Sequence, residues 1–170
     1  MATVTLQGKP LHTLGDLPKK GSLAPDFMLT KTDLSEIKLS ELLGKKILLS
    51  IFPSVDTGTC AAAMRRFNEQ CNDMPNVTVL CVSADLPFAQ KRFCGTENLK
   101  NVVPASAFRH PEFGKKYGVV LMDGPLAGLL SRAVIVLDEK GTVVYSQLVP
   151  EISAEPNYDA ALGALCSPTF

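Results

Sequence analysis

Tryptophan is absent from this 170-residue chain, histidine occurs only twice, and neither sign of charge is in excess. Lysine plus arginine number 17, aspartate plus glutamate also number 17, and the formal net charge is therefore zero. This balance argues against a general binder of nucleic acid or of anionic membranes, because such proteins carry a basic excess. We predict neither a nucleic-acid partner nor a membrane partner.

Long apolar runs are also missing. No run reaches the length that spans a membrane, and the first 20 residues lack the basic start and apolar stretch of a secretory signal. A cytoplasmic location is the resulting prediction. The five cysteines, an odd number in a chain with 46% hydrophobic residues, do not fit a secreted disulfide scaffold. In a reducing compartment they act as core residues, metal ligands or reactive thiols.

Motifs for metals and nucleotides are missing as well. The chain has no CxxC pair, no GxGxxG sequence and no Walker A sequence, so we predict no structural zinc and no phosphate-binding loop. A Cys–His hydrolase would need a histidine beside its nucleophile. His12 lies in a hairpin and His110 in a loop, and we expect both to be solvated. We predict that the protein requires no metal, haem or flavin cofactor.

Apolar segments and turn residues predict alternating strands and helices. The predicted elements are a hairpin within residues 1–20, strands at 27–30, 47–52, 76–83 and 102–103, helices at 39–44, 60–70, 86–94 and 110–117, a strand pair at 133–138 and 142–149, and a helix at 157–166. This order predicts an α/β fold with a central mixed sheet flanked by helices, parallel first and antiparallel later. The length predicts a single domain over 1–170, with residues 1–20 as an N-terminal hairpin extension.

Cys60 differs from the other cysteines because it follows a loop directly and opens a predicted helix. The N–H groups of a first helical turn have no partner within the helix, and the helix dipole is positive at that end. Both effects stabilise a thiolate, which is the nucleophilic form of cysteine. Asp56 and Thr57 precede Cys60, where either can cap the helix or hydrogen-bond the sulfur. We predict a reactive thiol rather than a packing residue.

The segment 53–60 carries a proline, a threonine and a cysteine at the spacing of the peroxiredoxin signature, which it resembles. Further segments, at 51–57, 83–90, 92–95 and 146–149, resemble the bacterial thiol peroxidase subfamily of the peroxiredoxins. The resemblance extends over nearly the whole chain. It implies a thioredoxin-like fold and an atypical two-cysteine peroxidase.

The resemblance also implies roles for individual residues. Cys60 would be the peroxidatic cysteine, and Thr57 would hydrogen-bond its thiolate and the peroxide oxygen. Pro53 would shield the site from bulk water. Arg132, just before a predicted strand, would stabilise the thiolate and then the charge on the leaving oxygen. Cys94 would be the resolving cysteine, in the same subunit as Cys60.

The implied activity is the reduction of hydrogen peroxide and organic hydroperoxides through a Cys60 sulfenic acid and an intramolecular Cys60–Cys94 disulfide. Thioredoxin is the implied reductant, antioxidant defence the implied role, and a homodimer packed near the active-site loops the implied assembly. We expect Cys94 not to contact Cys60 in the reduced protein, because two helix-borne sulfurs rarely lie in disulfide geometry. The helix that carries Cys94 would then have to unwind or shift, with Gly95 at its end as the hinge.

The other three cysteines are predicted to be structural. Cys81 lies mid-strand and is expected to be buried, whereas Cys71 is expected to be partly exposed and Cys166 to lie near a frayed helix end. Cys71 and Cys166 could each form adventitious disulfides. Several apolar residues could line a substrate mouth or belong to the core: Leu86, Pro87, Phe88, Ala89, Leu121, Met122 and Leu126.

Two other functions stay open at this point. A peroxide-sensing redox switch or holdase would use the same cysteine pair without catalytic turnover. A non-redox binding domain of the thioredoxin fold would have cysteines that titrate as ordinary thiols.

Overall fold

The computed structural model describes residues 1–166, which contain nine strands and five helices. In chain order these are β1 (Thr3–Leu6), β2 (Lys9–His12), β3 (Met28–Lys31), β4 (Glu36–Lys38), α1 (Leu39–Leu42), β5 (Lys46–Ile51), α2 (Gly58–Gln70), β6 (Val77–Ser83), α3 (Pro87–Glu97), β7 (Val103–Ser106), α4 (Glu112–Lys116), β8 (Ala133–Leu137), β9 (Val143–Leu148) and α5 (Tyr158–Cys166).

Seven strands form one mixed sheet in the order β4-β3-β7-β6-β5-β8-β9. The β5–β6 and β6–β7 pairs are parallel, whereas β5–β8 and β8–β9 are antiparallel. The mixed sheet predicted from the sequence is therefore confirmed, including the parallel-then-antiparallel order. The β8–β9 turn is closed by the Asp138 carboxylate, which accepts hydrogen bonds from the backbone N–H groups of Lys140 and Thr142 at 2.9 Å each.

The predominantly apolar sequence of β5 is explained by cores on both faces of the sheet. Ile47, Leu49 and Ile51 face a core that includes an aromatic cluster on the α4 side. Leu48 faces the opposite core, which α2 and α5 cover. Cys60 belongs to this second core, so the predicted nucleophile lies on the α2–α5 side of the sheet. None of the helices within residues 1–166 has the length and apolar character needed to span a membrane.

The N-terminal hairpin forms a separate two-stranded sheet, as predicted. Gln7 and Gly8 make its turn with φ values of 51° and 81°, which suits the right-handed twist of a tight hairpin. Val4 and Leu11 pack with Leu121 and Ile152 in a small core of their own. The hairpin therefore lies against the segment that follows β9.

Three details of the prediction were wrong. The strand predicted at 102–103 is longer and lies at Val103–Ser106. The short strand β4 was not predicted, because three residues with one buried side chain give almost no alternation signal. Helix α3 does not stop at Gly95 but continues to Glu97 and ends at Asn98, whose φ of 55° is left-handed. One glycine inside a helix costs only about 1 kcal/mol, whereas the Asn98 N–H caps the helix end by donating to Cys94 O.

Candidate active site

Helix α2 begins where the loop after β5 turns back, and Thr57 is its N-cap residue. Thr57 Oγ1 accepts a hydrogen bond from the Cys60 backbone N–H at 3.3 Å and donates one to Ser54 O at 3.2 Å. Cys60 is fully buried in the first turn of the helix, where the sequence placed it. Thr57 thus caps the helix through the Cys60 backbone, and its contact with sulfur or peroxide stays a prediction.

Strand pairing brings Arg132 to Cys60. Strand β8 pairs antiparallel with β5 so that Ala133 lies opposite Ile51, and the residue before β8 therefore meets the loop after β5. Arg132 Nη2 donates to Cys60 Sγ at 3.3 Å, and Arg132 Nε donates to Ile152 O at 2.8 Å. The two residues lie 72 positions apart in sequence, so only the folded sheet joins them.

The electrostatic setting of Arg132 is unusual because its side chain is only 3% exposed. Within residues 1–166 its acceptors are a carbonyl and the Cys60 sulfur, and Nη1 has no hydrogen-bond partner. A buried cation without a carboxylate is costly to keep in a fold. A guanidinium in this position can stabilise an anion at the sulfur and, through Nη1, a second anion beside it.

The loop between β5 and α2 is held from the neighbouring strand. Pro53 is buried in this loop. Asp85, just after β6, accepts hydrogen bonds from Ser54 Oγ at 2.8 Å and from Val55 N at 2.9 Å. Asp85 lies within the segment 83–90, and no role was predicted for it from the sequence. The available signal was its place after the carboxyl end of a strand parallel to β5, since such ends meet at one edge of the sheet.

Cys94 lies on α3 and packs against the core that contains Cys60. All five cysteines are free thiols in this structure. Burial raises the pKa of the Cys94 thiol to about 11, so Cys94 is protonated at neutral pH while α3 is folded. Within residues 1–166 no group of histidine, cysteine, aspartate or glutamate side chains is arranged to hold a metal ion.

Comparison with known proteins identifies the family to which this chain belongs. The sequence pattern of the Redoxin family matches residues 19–162. Thiol peroxidases from Mycobacterium tuberculosis and Mycobacterium bovis are 56% identical over 165 residues, which cover 97% of this chain and 99% of those proteins. The chain belongs to the thiol peroxidases of the redoxin family. It is therefore a peroxiredoxin-type enzyme that consumes peroxide and takes electrons from a thiol.

Solved structures confirm the thioredoxin-like peroxiredoxin fold. A peroxiredoxin-like protein from Aquifex aeolicus is 41% identical with a TM-score of 0.91, and the match covers 97% of this chain and 96% of that one. A thiol peroxidase from Chromobacterium violaceum is 26% identical with a TM-score of 0.88, over 96% of this chain and 94% of that one.

The first half of helix α3 of this thiol peroxidase is anchored by Gln90, which donates hydrogen bonds to Ser83 Oγ and Ala105 O at 3.1 Å each, whereas none of residues 91–97 is fully buried. Only Pro87 and Gln90 of the helix are buried, and its N-cap residue makes no side-chain cap bond. Arg65 on α2 forms a two-point ion pair with Glu97, at 2.8 and 2.9 Å. Arg92 on α3 pairs with Asp56 in the loop before α2 at 3.1 Å, so Asp56 does not cap that helix. Surface ion pairs of this kind hold a helix only weakly.

The remaining cysteines of the thiol peroxidase differ in one case from the prediction. Cys81 is fully buried and Cys166 is exposed, as predicted. Cys71 was predicted to be partly exposed, which is wrong, because it is only 6% exposed and belongs to the core under α2 and α5. Burial raises the pKa of the Cys71 thiol to about 11.

The histidine prediction was also wrong in one case. His110 was expected to be solvated, but its side chain is only 12% exposed and lies between Glu36 and Glu112. The error arises because Glu36 lies on β4, the strand that was not predicted. His12 is more exposed and pairs with Asp123 at 2.6 Å.

The apolar residues proposed for a substrate mouth do not lie together. Leu86, Pro87 and Phe88 line a cavity of about 270 Å³, together with Phe108 and Arg109. Ala89 is half-buried on α3, beside Phe88. Leu121 and Leu126 pack with the N-terminal hairpin, and Met122 is exposed.

Proposed function

We propose that this peroxidase reduces hydrogen peroxide and organic hydroperoxides with Cys60 as the nucleophile. The observation that supports this most is the 3.3 Å contact between Arg132 Nη2 and the buried Cys60 sulfur. The Cys60 thiolate attacks one peroxide oxygen in line with the O–O bond. Cys60 becomes a sulfenic acid, and the second oxygen leaves as alkoxide or hydroxide and takes up a proton to give alcohol or water.

Three residues assist this step in the proposal. The unpartnered Nη1 of Arg132 and the first-turn N–H groups of α2 take up the charge that develops on the leaving oxygen. Thr57, the N-cap of α2, turns its hydroxyl proton away from Ser54 O and hydrogen-bonds the thiolate and the peroxide oxygen. Pro53, buried in the same loop, excludes bulk water from the sulfur.

The second step uses Cys94. Its thiol condenses with the Cys60 sulfenic acid, so that a disulfide forms and water leaves. The second half of helix α3 has to loosen first, and this is supported by the incomplete burial of residues 91–97 and by the surface position of their ion pairs. A dithiol protein, which we propose to be thioredoxin, then reduces the disulfide by exchange and restores both thiols.

We propose that the enzyme is a homodimer and that a second copy covers the apolar cavity at the start of α3. Leu86, Phe88 and Phe108 are 46%, 65% and 67% exposed around this cavity. The face adjoins Asp85, which holds the active-site loop.

We also propose one domain over 1–170 with the hairpin at 1–20 as its extension; residues 167–170 lie outside the described part. A cytoplasmic location suits a cycle that needs reduced thiols.

Mass mapping after one equivalent of cumene hydroperoxide tests the two-cysteine cycle. Reduced protein should lose two hydrogens and yield a linked peptide pair that contains Cys60 and Cys94. Cys60→Ser should abolish peroxide consumption, whereas Cys94→Ser should consume one equivalent and then stall with thioredoxin. Cys166→Ser, at the exposed cysteine, is the matched control and should turn over normally.

Other outcomes would contradict parts of the proposal. Turnover by Cys60→Ser with thioredoxin would exclude Cys60 as the nucleophile. A sulfenic or sulfinic adduct on Cys60 without a disulfide would exclude Cys94 as the resolving cysteine. Disulfide formation without catalytic turnover would favour the redox-switch function instead.

A further inference from the structure

Glu151 joins the N-terminal hairpin to the turn between β9 and α5. Its Oε1 accepts hydrogen bonds from Thr5 Oγ1 and from the Gly8 backbone N–H, both at 2.9 Å. Its Oε2 accepts from Ser153 N at 2.9 Å and from Ser153 Oγ at 2.6 Å. One carboxylate therefore receives four hydrogen bonds from two separate parts of the chain.

The same turn reaches the active site through its backbone carbonyls. Ile152 O accepts the hydrogen bond of Arg132 Nε at 2.8 Å. Ser153 O accepts one from the hydroxyl of Thr59, the residue before Cys60, at 2.9 Å. The two residues that follow Glu151 thus contact groups on two sides of Cys60.

We propose that Glu151 is a positioning residue that orients the Arg132 guanidinium toward Cys60 by fixing the carbonyls of this turn. The proposal rests on the function proposed above, in which Arg132 stabilises charge at the reacting sulfur. A guanidinium is planar, so the direction of the Nε bond to Ile152 O also sets the direction in which Nη2 and Nη1 lie. A small displacement of such a group lowers the reaction rate strongly.

The carboxylate form of Glu151 is needed for this role. The hydrogen bonds from Ser153, Gly8 and Thr5 hold the pKa of Glu151 well below its usual range, so it is ionised at neutral pH. An ionised carboxylate only accepts hydrogen bonds, which matches the four donors around it. A neutral amide would place an NH₂ group where one oxygen accepts, and would leave one backbone N–H, that of Gly8 or Ser153, unpaired.

A purely structural role for Glu151 would be to hold the hairpin on the body of the protein, and Asp123 offers a matched comparison. Asp123 also holds the hairpin with a carboxylate, which accepts from His12 N at 2.9 Å and pairs with His12 Nδ1 at 2.6 Å. Its contacts are with β2 rather than with the turn that binds Arg132. Asp123→Asn therefore removes the same kind of hairpin contact without the connection to Arg132.

The test compares Glu151→Gln and Asp123→Asn by steady-state kinetics, by the alkylation rate of Cys60 with iodoacetamide from pH 5 to 9, and by thermal unfolding. Glu151→Gln should lower kcat/KM for peroxide by about 10- to 100-fold and slow alkylation at neutral pH. Asp123→Asn should stay within about twofold in both rates, even if the two variants lose similar thermal stability. Arg132→Met and the double variant Glu151→Gln/Arg132→Met complete a cycle, in which Glu151→Gln should add little once Arg132 is gone.

Equal rate losses in Glu151→Gln and Asp123→Asn would overturn the positioning role, as would a full additional loss from Glu151→Gln in the Arg132→Met background. If Glu151→Gln does not fold, Ser153→Ala removes a single donor to Glu151 and is compared with Asp123→Asn in the same way. Turnover by Cys60→Ser would instead contradict the proposed function. If Cys60→Ser and Arg132→Met are inactive but Glu151→Gln is fully active, the positioning role of Glu151 is excluded and the proposed function stands.

Discussion

Asp85 and Ser54 join the two cysteine-bearing parts of this enzyme. Asp85 Oδ1 accepts a hydrogen bond from Ser54 Oγ at 2.8 Å, which fixes the loop before α2. The backbone carbonyl of Asp85 accepts one from Ser106 Oγ at 2.5 Å, just before α3 begins. A single residue therefore positions the loop that leads to Cys60 and the start of the helix that carries Cys94.

Asp85→Asn should reduce activity although the two side chains have nearly the same size and shape. An amide nitrogen replaces one acceptor oxygen, which leaves the Val55 N–H or a serine hydroxyl unpaired at a cost of about 1–3 kcal/mol in the free energy of unfolding. We expect kcat/KM for peroxide to fall by about tenfold or more, because the loop before Cys60 is displaced. Peroxide kinetics and urea unfolding measure the two effects.

Asp33→Asn is the control for that substitution. Asp33 accepts from the backbone N–H of Ser35 at 3.0 Å and from its hydroxyl, in the turn before β4. This turn is exposed, and Asp33→Asn should leave both rate and stability nearly unchanged. A normal rate in Asp85→Asn would contradict the role of Asp85 in positioning the loop.

Arg132→Met should separate activity from stability. Removal of the buried cation should stabilise the folded state. Loss of the hydrogen bond to the Ile152 carbonyl should destabilise it, because that carbonyl is then unpaired. We expect the free energy of unfolding to change by at most about 2 kcal/mol, whereas kcat/KM for peroxide should fall by about 100- to 1000-fold. Arg66→Met, at an exposed arginine that stacks on Tyr158, is the control and should retain activity.

Local sequence patterns were sufficient for the elements but not for the contacts between them. The apolar run of β5 and the loop before Cys60 predicted a central strand followed by a reactive cysteine. The structure has the strand and places Cys60 in the first turn of the next helix, and the reactivity of Cys60 stays a prediction. Glu151 and the Ile152 carbonyl could not be predicted, because their bonds to the hairpin and to Arg132 join residues far apart in sequence. The extent of α3 could not be predicted either, because a left-handed Asn98 ends the helix rather than Gly95.

Loss of the Arg65–Glu97 ion pair should make the helix with the resolving cysteine easier to open. The pair is two-point but on the surface, with side chains 47% and 29% exposed, so it holds α3 only weakly. We expect Glu97→Gln to increase the opening of α3 by about two- to fivefold, seen as faster amide exchange in α3 and faster disulfide formation after peroxide.

A charge swap provides the control for the ion pair. Arg65→Glu combined with Glu97→Arg should restore slow exchange, whereas Arg65→Glu alone should open α3 further because two carboxylates then lie together. Disulfide formation at the same rate in all of these variants would show that α3 opening does not limit the resolution step.

Alkaline pH should destabilise the reduced enzyme, because its buried cysteine thiols lose their protons more readily in the unfolded chain than in the folded one. Burial raises the pKa of the Cys71 and Cys94 thiols to about 11, and burial raises the pKa of Cys81 further. Unfolded thiols titrate near about 8.5, so between about pH 8.5 and 11 the folded state holds protons that the unfolded chain has released. The thiols should therefore leave the free energy of unfolding unchanged between about pH 7 and 8 and should lower it as pH rises through this range. Urea unfolding of the reduced protein from pH 7 to 10.5 measures this, and Cys71→Ala/Cys94→Ala should show a shallower fall. An unchanged slope in that double variant would assign the alkaline loss to other buried groups, such as Tyr117 and Tyr158, whose pKa values burial also raises.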